Sequence, residues 1–441
     1  MFSSAPQTLP LSRRAWGIVL GTLIMVGVPI MAISAKTVQF TLPILLAGAL
    51  AGAIARGRIA YARPRFDATS LCLLVFIGYA GLSALWARDP LTSVSASLIA
   101  AVVVVGSITL MQLLRGEPIE DALHMGEGLW IGVAVGALYT VLEAGSGQAI
   151  KMFVYNALEL GPDVLEPDRY FTWENGRVIA IHTDDLTRNA VAIPLLLWPA
   201  LMATVALPAG TWRRLVCAAL LVLCFAAVFM ATSETAKLAL LAGMLAYGMA
   251  RISTALARYA LSVAWLGACL AVVPLAHLAR SLELHHAAWL PRSAQIRVTQ
   301  WNEIAQLVAQ SPFFGVGANM TYVIQPIMQE GPAAPWIGNP IPHPHNVYLQ
   351  TWYELGFVGA ALLAAFGILM LAKIARLNSV QRPFVFALFA VAAVQIGFSY
   401  NLWQIWFMCL FGFAVAMCAL GINILENQSS TFEKAAAVPR H

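Results

Sequence analysis

Charged residues are scarce in this sequence. Asp, Glu, Lys and Arg together make up 11% of its 441 residues, whereas hydrophobic residues make up 60%. Soluble globular domains carry roughly 25% charged residues, so the composition excludes that class of protein. With a mean hydropathy of +0.76, the chain is predicted to be an all-α polytopic membrane protein.

Cysteine is also scarce, and its placement excludes a cross-linked exported loop. All six cysteines fall inside apolar runs, where they form neither a paired metal motif nor a disulfide framework. They therefore leave the redox compartment open. Their positions are Cys72, Cys217, Cys224, Cys269, Cys409 and Cys418.

Long apolar runs are what the chain has in abundance. A membrane-spanning helix needs about 20 mostly apolar residues. About twelve segments approach this length, so a single membrane domain over residues 1–441 with about 12 transmembrane helices is predicted. The first run has spanning length and no small-residue cleavage site, so it is expected to be a retained helix. The segments lie near 15–34, 38–55, 69–86, 93–114, 124–144, 189–208, 213–231, 235–250, 258–280, 348–372, 383–400 and 402–424.

The positions of the basic residues predict the topology. Most Lys and Arg residues that flank the apolar runs fall on one side, and only Lys36, Arg88 and Lys237 fall at the short turns of the other. Because Lys and Arg are enriched in cytoplasmic loops, both termini are predicted to be cytoplasmic. Two long outer segments follow from this topology, at residues 145–188 and 281–347.

The first outer segment contains a hairpin signal. Two alternating stretches, around residues 170–174 and 177–181, are joined by Asn175-Gly176. Asn-Gly between alternating stretches favours a two-residue hairpin turn. A small β-hairpin is therefore expected in this loop.

The second outer segment begins with an amphipathic pattern. From Ser293 onward, apolar residues recur at helical spacing and predict a helix along the membrane surface. Arg297 falls on the apolar face of this helix, where the fork geometry of a guanidinium suits a phosphate. The alternative is an arginine that extends to the lipid headgroups. The pattern consists of Arg297, Trp301, Ile304, Ala305 and Val308.

The same segment ends in His343-Pro344-His345-Asn346, immediately before an apolar run. Asn346 is a suitable N-cap for the following helix, so His345 is expected beside a helix N-terminus. The positive end of that helix disfavours a second proton on His345, which leaves a neutral imidazole able to accept one. The alternative is a polar cap on a transmembrane helix without a catalytic role.

Three groups of residues give the chain a family resemblance. They are Arg297-x3-Trp301, then Pro312 with Gly315-Val316-Gly317, then His345-Asn346 followed after nine residues by Gly356-x2-Gly359. Together they resemble the O-antigen ligase and polymerase superfamily of bacterial inner-membrane glycosyltransferases. Asn189 also resembles a recurring family position. One departure is that Glu234 stands where the family usually has Arg, and Lys237, one turn on, is the candidate to replace that cation.

The resemblance implies an O-antigen ligase without cofactors. Its donor would be a glycan on undecaprenyl pyrophosphate and its acceptor lipid A-core oligosaccharide, joined on the periplasmic face by a metal-independent inverting displacement. The loop at 281–347 would carry the active site, with His345 as the base and Arg297 stabilising the leaving group. The lipid bilayer is a further partner, and no nucleic acid is expected. Candidate substrate-binding residues are Lys237, Asn346, His343, Arg188, Arg177, Arg292 and Trp301.

Other functions remain open at this point. An O-antigen polymerase or a protein oligosaccharyltransferase of the same superfamily would use a similar donor. A twelve-helix transporter is the rival from another class, although charges near helix ends and the absence of a visible internal repeat disfavour it. A zinc site of His285, His286, His343 and His345 is also disfavoured, because an extended His-Pro-His segment directs its two histidines apart.

Overall fold

The described part of the chain is almost entirely helical. A computed structural model describes residues 11–58, 60, 63–159, 171–182, 184–204, 207–321 and 344–436. The helices are α1 (Leu11–Ile33), α2 (Val38–Ala55), α3 (Ala68–Leu82), α4 (Pro90–Arg115), α5 (Ile119–Ser146), α6 (Ala149–Ala157), α7 (Asp184–Asn189) and α8 (Ala192–Ala203). They continue with α9 (Thr211–Met230), α10 (Glu234–Ile252), α11 (Thr254–Leu270), α12 (Val272–Ser281), α13 (Arg292–Val308), α14 (Val347–Ile374), α15 (Arg382–Phe398) and α16 (Ile405–Ala436).

Nine helical segments within the described ranges are long and apolar enough to cross a membrane. A tenth results if α11 and α12, which are bent by 76° at their junction, count as one broken span. The all-α membrane class is thus confirmed. The described ranges contain nine or ten candidate spans, fewer than the predicted twelve. The nine segments are Ala15–Ile33, Ala35–Ala55, Ala68–Leu85, Pro90–Arg115, Ile119–Ser146, Leu186–Ala203, Thr211–Met230, Val347–Ile374 and Ile405–Asn427.

Three predicted spans account for the difference in number. The segment predicted at 258–280 is divided between α11 and α12 at the bend. Helix α15 has 17 residues, short of the length that spans without distortion. Helix α10 is long enough at 19 residues but contains Glu234, Lys237 and Arg251, which lower its hydropathy.

The predicted hairpin is present. Strand β1 (Phe171–Glu174) pairs antiparallel with β2 (Arg177–Ile181). Both turn residues have positive φ, 50° at Asn175 and 75° at Gly176, as a type I′ turn requires. The Asn156 amide of α6 both donates to and accepts from the Val178 backbone at 2.8 Å. The hairpin is therefore fixed to a helix.

The chain divides into two compact units. The first comprises Met1–Pro64, Gly106–Leu241 and Cys409–His441. Within it, α1 packs along α5. Arg56, which follows α2, forms ion pairs of 2.7 Å with both Glu117 and Asp121 near the start of α5. All three side chains are buried, and Arg58 adds a second cation 3.6 Å from Glu117, so two arginines face two carboxylates.

The second unit comprises Arg65–Val105 and Ala242–Met408. Its core is a cluster of buried apolar residues from several helices around α14. The ring of Trp265 packs at 5.5 Å from Tyr348 and 5.2 Å from Phe389. Its Nε1 donates to the carbonyls of Leu363 and Ala364 at 3.2 Å, so this large side chain is buried with its polar atom satisfied. This packing holds α14, whose first residues belong to the candidate site.

Candidate active site

Helix α13 positions the first predicted site residues. It runs from Arg292 to Val308, and its buried face includes Val298, Ile304 and Val308. The amphipathic helix predicted from the spacing is therefore present. Pro291 precedes its first residue, where a missing backbone N–H does not interrupt the helical hydrogen bonds.

The loop after α13 is joined to a kink in α14 by backbone hydrogen bonds. Gly356 has φ 63° and ψ −160°, which interrupts the helix. Backbone groups freed by the kink at 353–358 bond to the loop at 312–317, so this junction has few unpaired polar groups. The four bonds run from Val316 N to Tyr353 O (3.1 Å), Gly317 N to Glu354 O (2.8 Å), Phe357 N to Pro312 O (2.8 Å) and Val358 N to Phe313 O (3.2 Å).

The close approach of these two backbones explains why two of the motif residues are glycines. A Cβ on Gly315 would lie 2.3 Å from the backbone of Glu354, and a Cβ on Gly356 would lie 2.4 Å from the backbone of Phe313. Both glycines also have positive φ, 69° and 63°. Only glycine satisfies the contact and the dihedral together. These glycines allow the loop to pack directly against the backbone of α14.

Glu354 is a buried carboxylate with several hydrogen-bond partners, and no local sequence pattern predicted it. It lies within the nine-residue spacer of the His345 motif and is 1% exposed. Its carboxylate accepts hydrogen bonds from Asn319 N (3.0 Å), Thr321 N (3.1 Å), Thr321 Oγ1 (2.9 Å), Gln350 Nε2 (3.1 Å) and Trp403 Nε1 (2.5 Å).

These bonds fasten two separate segments, around 319–321 and 401–403, to the first turns of α14. Gln350 extends the network, because its Nε2 donates to Asn401 Oδ1 at 2.8 Å and its Oε1 accepts from Leu402 N at 3.1 Å. The signal available in the sequence was a single acidic residue inside an apolar run, where ionisable groups are retained for a specific reason.

Asn346 caps α14 as predicted. Its Oδ1 accepts from Leu349 N at 3.0 Å, and its own backbone is extended. His345 immediately before it has φ 52°, a left-handed conformation that a residue with a Cβ seldom adopts. Such a conformation costs about 1–3 kcal/mol and is concentrated at functional sites.

The tautomer of His345 is set by a backbone carbonyl. Its Nδ1 forms a hydrogen bond with the carbonyl oxygen of Ser399, the residue after α15. The last carbonyls of a helix have no partner within it, so this oxygen is available. Because a carbonyl can only accept, Nδ1 carries the proton, and Nε2 is the accepting nitrogen of the neutral ring. A half-buried imidazole in this form is suited to accept a proton from a substrate.

Trp301 joins α13 to the His345 segment. Its Nε1 donates to the carbonyl of Pro344 at 2.7 Å, and its ring lies 5.8 Å from that of Phe398. The structure therefore brings together three segments that are far apart in the sequence. Trp301 of α13 contacts both Pro344, which precedes His345, and Phe398, which precedes Ser399.

Arg297 lies one turn before Trp301 on α13. Burial lowers the pKa of its guanidinium, an effect that the nearby Tyr400 opposes. An arginine nevertheless stays protonated in proteins. Among the residues that the structure describes, no carboxylate pairs with it. A desolvated cation without an acidic partner is suited to bind an anion from outside the protein.

Tyr400 links the two predicted catalytic residues. Its ring lies 6.5 Å from that of His345. Its nearby phenol raises the pKa of the Arg297 guanidinium and so opposes the effect of burial. Trp406 and Phe407 hold it, with ring centroids at 4.7 and 5.4 Å. No local pattern predicts this tyrosine, because its contacts are with residues that are distant in the sequence.

The remaining predicted residues are not part of the contacts described above. Arg177, Arg188 and Lys237 belong to the first unit, Arg292 is exposed at the first residue of α13, and His343 lies outside the described residues. The substrate-binding roles of all five stay predictions. Within the described ranges, no group of three His, Cys, Asp or Glu side chains is placed to hold a metal ion.

Two residues from the family resemblance have clear partners in the first unit. Lys237 Nζ lies 2.8 Å from Glu234 Oε1, an ion pair between successive turns of α10. Asn189 accepts from Ala35 N at 3.0 Å and donates to Ile33 O at 2.9 Å. Asn189 thus fixes the turn between α1 and α2, a structural role.

The segment with this geometry is also the one that a known family shares. Residues 219–364 match the O-antigen ligase family. This range contains Lys237, α13, the 312–317 loop, His345 and the kink at Gly356, so the resemblance predicted from the motifs is confirmed. The O-antigen ligase match covers about a third of the chain.

A protein of Rickettsia bellii (strain RML369-C) named "Putative polysaccharide ligase" is 33% identical over 121 residues. The aligned part covers 26% of this chain and 29% of that relative. The chain therefore spans less than a third of that relative's length in this comparison. The likeness supports a ligase-type function in a multi-pass membrane protein and leaves the substrates open.

Proposed function

We propose that this protein is an O-antigen ligase of the bacterial inner membrane. It transfers a glycan from undecaprenyl pyrophosphate to lipid A-core oligosaccharide on the periplasmic face, with both termini in the cytoplasm and without a metal or cofactor. The match of residues 219–364 to the O-antigen ligase family supports the ligase class. The apolar helices support a lipid-linked substrate.

His345 is the general base of this reaction. Its Nε2 takes the proton of the acceptor hydroxyl while that oxygen attacks the anomeric carbon of the donor sugar. The bond from this carbon to the pyrophosphate oxygen breaks, and the configuration at the anomeric carbon is inverted. A positioned base contributes about 10²–10⁴-fold to such a step.

Arg297 binds the pyrophosphate and stabilises it as it leaves. The negative charge on the bridging oxygen grows in the transition state, where a fixed guanidinium in a water-poor site is most effective. The observation that carries the proposal is a partly desolvated cation that has no carboxylate partner among the described residues. Tyr400, which raises the pKa of this guanidinium, lies 6.5 Å from the ring of His345, whose imidazole is fixed in its Nε2-accepting form.

The other sequence candidates take supporting roles. Lys237, Arg177 and Arg188 of the first unit are proposed to bind charged groups of the lipid-linked substrates, and Arg292 adds positive charge at the start of α13. Asn346 orients His345 through the cap of α14. Trp301 holds the segment before His345 through its hydrogen bond to the Pro344 carbonyl, and His343 stays a candidate substrate-binding residue from the sequence alone.

A reconstituted assay tests the proposal. Purified protein in lipid nanodiscs receives a lipid-linked glycan donor and lipid A-core acceptor, with and without EDTA, and mass spectrometry identifies the product. A ligase forms glycan on lipid A-core in both conditions. A longer glycan still on undecaprenyl pyrophosphate would identify a polymerase instead, and loss of product with EDTA would contradict the metal-independent step.

A further inference from the structure

Gln300 of α13 is a buried amide that the fold leaves unpaired. Its side chain is 0% exposed. Neither Nε2 nor Oε1 has a hydrogen-bond partner among the described residues. Burying both ends of an amide without partners disfavours folding. Residues that violate packing rules in this way are often retained for function.

A second glutamine on the same helix shows the contrast. Gln295 donates through Nε2 to the carbonyls of Ala287 at 2.9 Å and Leu290 at 3.1 Å. Helix α13 thus contains one glutamine with a structural role that the fold satisfies. Gln300 has no such role in the described structure.

Gln300 lies one helical turn from Arg297. It follows Arg297 by three residues, so the two side chains share a helix face. It also precedes Trp301, which contacts Pro344 and Phe398.

Ser399, which follows Phe398 and contacts His345, provides a second observation. Its backbone carbonyl holds His345, while its own Oγ is buried without a hydrogen-bond partner among the described residues. Gln300 thus lies one helical turn from Arg297 and Ser399 contacts His345, and each has side-chain polar atoms without a partner among the described residues.

We propose that Gln300 and Ser399 form a subsite for the first sugar of the donor, the sugar linked directly to pyrophosphate. This inference rests on the proposed function. If Arg297 holds the pyrophosphate and His345 activates the attacking hydroxyl, the first sugar must lie between them. An amide offers two donors and an acceptor, and a serine hydroxyl offers both roles, which match the hydroxyl and N-acyl groups of a sugar.

The test compares binding of two lipids to the full-length protein in nanodiscs. One probe is undecaprenyl pyrophosphate without sugar, and the other carries a single N-acetylhexosamine. Gln300→Met keeps the size and removes the polar atoms. We expect it to weaken binding of the sugar-bearing lipid about 10- to 100-fold, equivalent to two lost hydrogen bonds, and to leave binding of the sugar-free lipid unchanged.

Thermal unfolding separates this subsite from a structural role. Gln300→Met removes an unpaired buried amide, so its unfolding temperature should equal or exceed that of the wild type. The matched control Gln295→Met should lower the unfolding temperature and leave both affinities unchanged. Equal binding of the sugar-bearing lipid by wild type and Gln300→Met would overturn the inference, as would a loss of stability that weakens both lipids equally.

Two further variants distinguish binding of the sugar from binding of the pyrophosphate. Ser399→Ala retains the carbonyl that holds His345 and should weaken only the sugar-bearing lipid, by about 3- to 10-fold. Arg297→Lys should weaken both lipids, because it acts on the pyrophosphate. If Arg297→Lys leaves the sugar-free lipid unaffected, the proposed phosphate site fails, and the comparison of the two lipids on Gln300→Met still decides the sugar subsite.

Discussion

At the scale of single residues, His345 combines a strained backbone with a fixed tautomer. A left-handed histidine between Pro344 and Asn346 directs its ring to the Ser399 carbonyl, and this contact decides which nitrogen can accept a proton. Strain of this kind persists only where the surrounding structure enforces it. Here the cap of α14 and the end of α15 do so from two sides.

Replacing His345 with asparagine separates its structural and chemical roles. Asn tolerates the left-handed conformation and its amide can donate to Ser399, but it has no basic nitrogen. We expect His345→Asn to fold normally and lose about 10²-fold or more in transfer rate. The same substitution at exposed His286 is the control and should keep full activity. Transfer near the wild-type rate by a well-folded His345→Asn protein would exclude the base role.

Arg297 allows a test of guanidinium geometry against charge alone. Arg297→Lys keeps the positive charge but loses the planar fork that binds two phosphate oxygens at once. We expect a loss of about 10²-fold in kcat, as for removal of one group that stabilises a developing charge. The control Arg258→Lys, on the exposed face of α11, should leave kcat unchanged. Equal rates for Arg297→Lys and wild type would instead favour an arginine that anchors α13 to lipid headgroups.

The Lys237–Glu234 pair allows a double-mutant cycle. As an exposed pair it contributes at most about 0.5 kcal/mol to stability. If Lys237 also binds the donor pyrophosphate, Lys237→Ala should slow transfer about as much as Arg297→Ala. The Glu234→Ala, Lys237→Ala double variant should then remain slow and bind donor lipid weakly. Recovery of activity in the double variant would show that Lys237 acts only through its pair.

The sequence predicted the parts of the site that local patterns encode. The cap at Asn346, the position of His345 before a helix and Arg297 on an apolar face all follow from spacing within one segment. Ser399, Tyr400, Gln300 and Glu354 were not predicted, because their roles arise where α13, α14 and α15 meet. A single sequence contains no spacing that encodes those contacts.

At the scale of elements, the kink in α14 and the 312–317 loop form one structural unit. Helical periodicity predicts a continuous α14, since it detects apolar faces and not the backbone conformation of one glycine. The motif glycines were recognised through resemblance alone. The structure supplies their physical reason, which is close approach of two backbones at Gly315 and Gly356.

Gly356→Ala should therefore destabilise the protein. The added Cβ meets the Phe313 backbone, and alanine disfavours positive φ, so we expect a loss of roughly 3 kcal/mol or more. Transfer activity should fall with it, because the loop after α13 is displaced. The control is Gly78→Ala in α3, where a Cβ meets nothing within 4 Å and helix propensity predicts equal or greater stability. Equal thermal unfolding of both variants and wild type would contradict this account.

At the scale of the whole molecule, the number of spans decides the topology. Composition predicted the membrane class, which the structure confirms. Nine of the twelve predicted apolar runs correspond to described helices of spanning length. Composition could not detect the 76° bend between α11 and α12 or decide whether α10 and α15 cross. Each segment that fails to cross reverses the side of everything after it.

Labelling of single cysteines with a membrane-impermeant maleimide resolves this. In a protein whose six cysteines are replaced by alanine, Glu174→Cys in the hairpin and Trp289→Cys before α13 should both react from the periplasm. Helices α8, α9, α10 and the α11–α12 pair lie between these positions, so reaction of both requires an even number of crossings. Arg214→Cys and Ser379→Cys should react only after permeabilisation, because the basic residues around them favour the cytoplasm. Labelling of Glu174→Cys but not Trp289→Cys would show that α10 or the bent pair does not cross, and would place α13 and His345 on the cytoplasmic side, where a periplasmic ligase cannot act.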